Sequence, residues 1–162
     1  MTATYEPIST QTIGTAVATV TLSSIPSTYT DLVLVVGYGN NTIGGQNLLM
    51  QFNGDTATNY SNTRLVAGGG GAGSFRDSNA QSINIGAIYG TADPTTHISH
   101  INNYANATTY KTLLCRHSTT NNVAAHVGLW RSTAAITSVT FRASDGNFGI
   151  GSTFTLYGVK AA

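Results

Sequence analysis

Four histidines, one cysteine and six carboxylates are the side chains of this 162-residue chain best suited to chemistry, and their spacing limits what each can do. His97 and His100 stand three apart, which in a strand puts them on opposite faces, so they cannot grip one metal ion together without a bulge. Cys115 and His126 flank Thr119-Thr120-Asn121-Asn122, a run of turn formers. A symmetric hairpin closing there sets Cys115 opposite His126, a pair from which a thiolate nucleophile can be built. No third group to orient the pair and no oxyanion donor is legible, so Cys115 reads as a small core residue and His126 as a strand residue. Asp55, with the side-chain oxygens of Asn53 and Asn59, could approach a calcium ion. That spacing is not an EF-hand's, and one carboxylate supplies too little charge for tight binding; the segment reads as a polar loop held by Asx turns. Glu6, Asp31, Asp55, Asp77, Asp93 and Asp145 are dispersed, and no motif sets two of them as a general acid and base. The run Gly68-Gly69-Gly70-Gly71-Ala72-Gly73 invites a phosphate-loop reading, yet Ser74-Phe75-Arg76 follows it, with neither the Lys-Ser/Thr pair nor a helix. The residues therefore nominate no catalytic group, no metal and no cofactor.

The elements that carry these side chains must be strands. Thr, Ser, Val, Asn and Gly dominate, all costly in helices, while Glu and Lys hardly occur. Apolar residues recur at every second position: Val20 and Leu22; Leu48, Met50 and Phe52; Val139 and Phe141; Phe154 and Leu156. Further strands are expected at 7–13, 31–38, 82–89, 97–104, 110–117 and 124–131. Leu32 to Val36 is apolar on both faces, which predicts a central strand in a sheet covered on both sides. Turn chemistry separates most of these segments, as at Asn53-Gly54-Asp55 and Asp145-Gly146-Asn147. About ten short strands without helix, and with no 20 to 50 residue repeat, predict an all-β, single-domain antiparallel β-sandwich, jelly-roll-like, over residues 1–162. One extended Gly-rich loop is expected around 67–78, leaving the sandwich. Its Gly68, Gly69, Gly70, Gly71, Gly73 and Phe75 are interface candidates.

Composition narrows the function. Lys and Arg number 7 and Asp and Glu 6, for a net charge of +1, where an average soluble domain of this length carries about 40 charged residues. Seven basic residues scattered from Arg64 to Lys160 cannot build a phosphate-facing stripe, so no nucleic acid is expected as a partner. The longest aliphatic run falls far short of the roughly 20 residues that span a bilayer, so no membrane partner is expected either. The opening Met-Thr-Ala-Thr-Tyr-Glu-Pro lacks the basic and apolar regions of a signal peptide, and the expectation is synthesis in a cytoplasm. One cysteine excludes an intramolecular disulfide framework.

Several phrases are familiar: Ile8-Ser9-Thr10-Gln11-Thr12-Ile13-Gly14; Ser24-Ile25-Pro26-Ser27-Thr28-Tyr29-Thr30-Asp31-Leu32-Val33-Leu34; Phe52-Asn53-Gly54-Asp55 with Asn59-Tyr60-Ser61; and Phe154-Thr155-Leu156-Tyr157-Gly158-Val159-Lys160. Together they resemble small virion structural proteins of tailed bacteriophages of aquatic bacteria. The likeness spans most of the chain, consists of strand and turn phrases, and includes no catalytic motif. It implies a non-enzymatic structural component of the particle, made in the host bacterial cytoplasm and either decorating the capsid surface, the leading expectation, or forming part of a tail appendage. That component would be a capsid decoration or cement protein binding the major capsid protein and copies of itself, a trimer included. The alternative is a tail fibre, spike or receptor-binding module, with Tyr60, Phe75 and Trp130 as candidates for stacking on host glycans.

Overall fold

Alternating apolar and polar side chains build twelve strands in the computed structural model, which describes residues 4–90, 92–93 and 95–160. They are β1 (Tyr5–Thr12), β2 (Thr19–Leu22), β3 (Asp31–Gly39), β4 (Gln46–Phe52), β5 (Tyr60–Gly68), β6 (Gly71–Ala80), β7 (Ile83–Ile88), β8 (Thr95–Asn102), β9 (Lys111–Ser118), β10 (Asn122–Trp130), β11 (Val139–Ala143) and β12 (Thr153–Val159). One sheet runs β1-β12-β3-β8-β9-β10-β5-β6 and the other β2-β11-β4-β7, with antiparallel pairing of all these neighbours. Four strands of the long sheet, β1-β12-β3-β8, face the four of the short one in the order of a jelly roll. Two hairpins, β9–β10 and β5–β6, then extend one sheet from four strands to eight. The protein is a single-domain antiparallel β-sandwich, as expected.

The core lies between the sheets, where Leu34, Leu48, Met50, Phe52, Phe141, Phe154 and Leu156 are almost wholly buried. Each such side chain is worth about 1.5–3 kcal/mol relative to exposure. At one end Phe52, Tyr60 and Trp130 form an aromatic knot, with Tyr60 and Trp130 stacked at 6.3 Å. The Asn53-Gly54 turn has positive φ at both residues, 51° and 68°, the signature of a primed turn.

Two expectations are corrected. The loop expected around 67–78 is instead the long β5–β6 hairpin, paired from Gly68↔Gly71 back to Tyr60↔Ala80, with Gly69-Gly70 at its tip. Its residues are mostly polar or Gly on both sides, so strand periodicity is faint. Second, β3 is central but only one of its faces lies against another sheet: Leu32, Leu34 and Val36 enter the core, while on the outward face Val33 is buried and Val35 half-buried beside neighbouring side chains such as Tyr5 and Tyr157.

Candidate functional site

The inner face of the long sheet changes character along a single row of paired residues. Leu156, Leu34, Ser99, Cys115, His126, Arg64 and Phe75 follow one another across β12, β3, β8, β9, β10, β5 and β6. The next row runs Phe154, Val36, His97, His117, Ala124 and Val66. Strand β7 packs across β8, β9, β10 and β5 and closes over them. Two glycines permit this approach. A Cβ on Gly128 would lie 2.6 Å from Ile83, and one on Gly86, whose φ is +131°, would lie 2.5 Å from His117 Nδ1.

Three histidines meet in this interior. His97 and His117 stack with centroids 5.0 Å apart, and His117 and His126 tilt together at the same separation. His126 Nε2 is 3.1 Å from His117 Nδ1, and His126 Nδ1 is 3.0 Å from the Asn84 carbonyl. Burial lowers the pKa of all three; His97 is driven to about 3, with the His117 and His126 charges adding to burial, and His126 to about 4. The rings are therefore neutral at pH 7. Among the described residues neither ring nitrogen of His97 has a partner at hydrogen-bond geometry, the Ala87 backbone being the polar group nearest in effect, and Asn62 Oδ1 and Arg64 Nε are likewise buried without one.

The chemistry of this cluster is constrained. Cys115 does stand opposite His126, as the hairpin argument requires, and the hairpin closes through the Thr119 amide donating to the Asn122 carbonyl at 2.9 Å. Yet burial pushes the Cys115 thiol up to about 11, and its Sγ lies 3.3 Å from the Ile85 carbonyl, placed to donate to it. No thiolate forms near neutral pH. Stacked, near-parallel rings cannot aim their lone pairs at one ion, and among the described residues no group of three or more His, Cys, Asp or Glu is placed to hold a metal. His100 takes the opposite face from His97, as the spacing predicts.

The other candidate residues separate. Asn53 Oδ1 accepts from the Thr137 and Ser138 amides, and its Nδ2 donates to the Ala135 carbonyl. Asp55 accepts from the Ala57 amide, the Asn59 side chain and Trp130 Nε1, at 2.7 to 2.9 Å. Burial raises the Asp55 pKa, but these bonds outweigh it and hold the carboxyl below its usual value. The calcium candidates thus act as a latch on the aromatic knot, with the Asn53 and Asp55 side-chain oxygens occupied by the chain itself and Asn59 donating to Asp55. Gly68, Gly69, Gly70, Gly71 and Gly73 lie in and around the hairpin tip, and Phe75 is exposed beneath the Arg64 guanidinium, 5.4 Å from its ring centre. Tyr60 and Trp130 lie in the core, 0% and 2% exposed, which removes them as glycan-stacking platforms.

A surface that sequence reasoning missed lies on the outward face of the long sheet. Leu65, Leu114, Val123 and Val127 are each more than half exposed there, beside Ile98, Val35, Ala125 and Tyr157. A groove of about 800 Å³ on this face includes Leu65, Ile98, Arg116 and Val123. Arg116 stands in the middle, paired across the strands with Ile98 and Ala125, and its guanidinium makes no hydrogen bond or ion pair with any described residue. Alternation within β9 and β10 could have shown this face. The signal was lost because the opposite face, carrying Cys115, His117 and His126, reads as less apolar than the outward one.

The fold and these surfaces define an all-β sandwich with an extended, open sheet and no assembled catalytic constellation among the described residues. No protein-family model matches the chain, and no curated protein matches it significantly. Among solved structures, the chain is similar to the marine PL-14 alginate lyase from Aplysia kurodai at 13% identity, covering 80% of this chain and 71% of that one, with a TM-score of 0.26.

Proposed function

We propose that this chain is a bacteriophage virion structural protein, a capsid decoration or cement protein that binds the major capsid protein and acts without catalysis. The observation that carries this reading is the outward face of the long sheet, an apolar expanse that a solvated protein gains by covering. Burying the exposed halves of Leu65, Leu114, Val123 and Val127 is worth on the order of 4 kcal/mol, before the cost of association. The charge deficit supports it: thirteen formal charges over 7737 Å² leave few groups that an interface would strand unpaired. A protein bound at many equivalent sites stabilises a shell by mass action. Contacts between copies of the chain, a trimer included, belong to the same reading and would use other surfaces. The tail-fibre alternative keeps only Phe75 of its three aromatic candidates, since Tyr60 and Trp130 are internal.

The test is the copy number of this chain in purified particles of the phage that encodes it, read by quantitative gel or mass spectrometry. Hundreds of copies per particle are expected. A few tens would place the chain in a tail structure, and its absence would end the virion reading.

A further inference from the structure

We infer that the open face of the long sheet receives a protein segment whose apolar side chains flank one carboxylate, and that Arg116 holds that carboxylate. The inference rests on the decoration reading for the partner, the major capsid protein, and adds the chemistry by which the partner is chosen.

Arg116 is the one cation at the middle of this face. Its row runs Val35, Ile98, Arg116, Ala125, Leu65, and the row beside it His100, Leu114, Val127. Grooves on both sides of the central strands converge on Arg116. Eight strands about 4.8 Å apart, each showing roughly 20 Å of length, present on the order of 800 Å². That is about one partner's share of a standard specific interface. Covering such a face buries the guanidinium, and a buried guanidinium without an anion is strongly unfavourable. A purely apolar partner is thereby rejected, while a carboxylate can meet the planar fork with two parallel hydrogen bonds. Same-face side chains of a strand are about 6.8 Å apart, so a carboxylate flanked by apolar residues two positions away would seat them near Leu114 and Val123.

Charge complementarity also decides against a second copy as the occupant. The chain's acids are engaged elsewhere: Glu6 with Lys160, Asp77 with Arg64, Asp55 in the Trp130 latch, Asp93 with Thr120 and Asp145 with the Gly146 amide. Asp31 alone lies on a strand position facing outward, four residues from Val35 at the rim, and it accepts from the Asn103 amide. A copy laid on this face would set one apolar centre with an unpaired Arg116 against another. Nucleic acid is disfavoured by the same aliphatic surroundings, which offer phosphates Arg116 at the centre and Arg76, in register with Thr63 on the edge strand, but no basic stripe.

The experiment adds purified protein back to particles grown from a phage lacking this gene and measures bound copies. Wild type, Arg116→Glu, Arg116→Lys and a control on the far sheet, Thr19→Glu, are compared, each checked for an unchanged thermal melt. Arg116→Glu is expected to weaken binding at least about thirty-fold, the usual scale for disrupting a buried charge pair, Arg116→Lys less, and Thr19→Glu not at all. Arg116→Glu binding like wild type would overturn this inference and leave the decoration reading intact. Wild type failing to bind would overturn both. Sedimentation velocity supplies the remaining arm: self-association of wild type that Arg116→Glu abolishes would identify a second copy as the occupant and refute the carboxylate partner.

Discussion

Acid should destabilise this fold well before its carboxylates titrate, and the histidine stack sets the amount. An unfolded histidine titrates near 6.5, whereas in the folded chain burial drives His97 to about 3 and His126 to about 4. Below pH 6.5 the unfolded state binds protons that the folded state refuses, so stability is full above that pH and is lost as pH falls toward the folded values. The loss per group is about 1.4 kcal/mol per pH unit, hence about 2 kcal/mol each between pH 6.5 and 5.0, and about 4 kcal/mol for the pair. His117 acts in the same direction. Facing the stack are Arg64 from β5, itself paired to Asp77 on β6, and Cys115 from β9; β7 contributes no titratable group. Against a total of about 5–15 kcal/mol this is a large fraction. Urea unfolding at pH 7.5 and pH 5.0 reads it directly. With a slope of about 2 kcal/mol per molar, the midpoint should fall by about 2 M. The double substitution His97→Gln/His126→Gln should remove most of that difference, whatever it does to stability at pH 7.5. His97→Gln alone should remove about half if the double variant does not fold. Wild-type midpoints that coincide at the two pH values, or a double variant with an undiminished shift, would refute the reasoning.

Three further outcomes follow from particular contacts. Gly86→Ala forces a side chain onto a φ of +131° and into the His117 ring, and should cost about 3 kcal/mol by chemical denaturation. Asp55→Ala leaves Trp130 Nε1 and the Asn59 amide without their acceptor and should lower stability by about 2 kcal/mol, whereas added calcium should leave the wild-type melt unchanged because the Asn53 side-chain oxygen and both Asp55 oxygens are already occupied. Cys115, buried with its thiol pushed up to about 11, should resist a disulfide reagent at pH 8 in the native protein and react promptly in urea.

Legibility followed burial contrast. Where one face of a strand is apolar and the other hydroxylated, as in Thr19–Leu22 or Thr153–Val159, period and facing were readable and match the structure. The Cys115 and His126 pairing was readable because the turn residues Thr119 to Asn122 fix the register of β9 against β10. The β5–β6 hairpin was not, because Gly71, Gly73, Ser74, Asp77 and Asn79 offer no apolar face to count. The histidine stack was hidden for another reason. His97 and His117 become neighbours only through the pairing of β8 with β9, whose connection spans residues 103–110 and carries no short-turn signature to set the register.

Where the extension joins the jelly roll, from β8 through β9 and β10 to β5, polar residues enter the inner face beside Leu113, Cys115 and Trp130, and aliphatic ones appear on the outer face. In an ordinary sandwich the inner face is apolar and the outer one polar, because the inner face is dry. Across β8, β9, β10 and β5 the inner positions include Asn62, Arg64, His97, Ser99, His117 and His126, while the outer ones include Leu65, Ile98, Leu114, Val123 and Val127. The short sheet has only four strands to lay against eight, so its apolar cover ends near β7, and polar groups fill the inner face where that cover runs out. That geometry accounts for the inner side alone. It gives no reason for aliphatic residues outside, where Thr or Ser would solvate at no cost to the pleat. Outward aliphatic residues on the very strands added to the jelly roll are stabilising only when something dry lies against them. On the reading proposed above, the extension would serve as the platform for that protein partner rather than as an enlargement of the core.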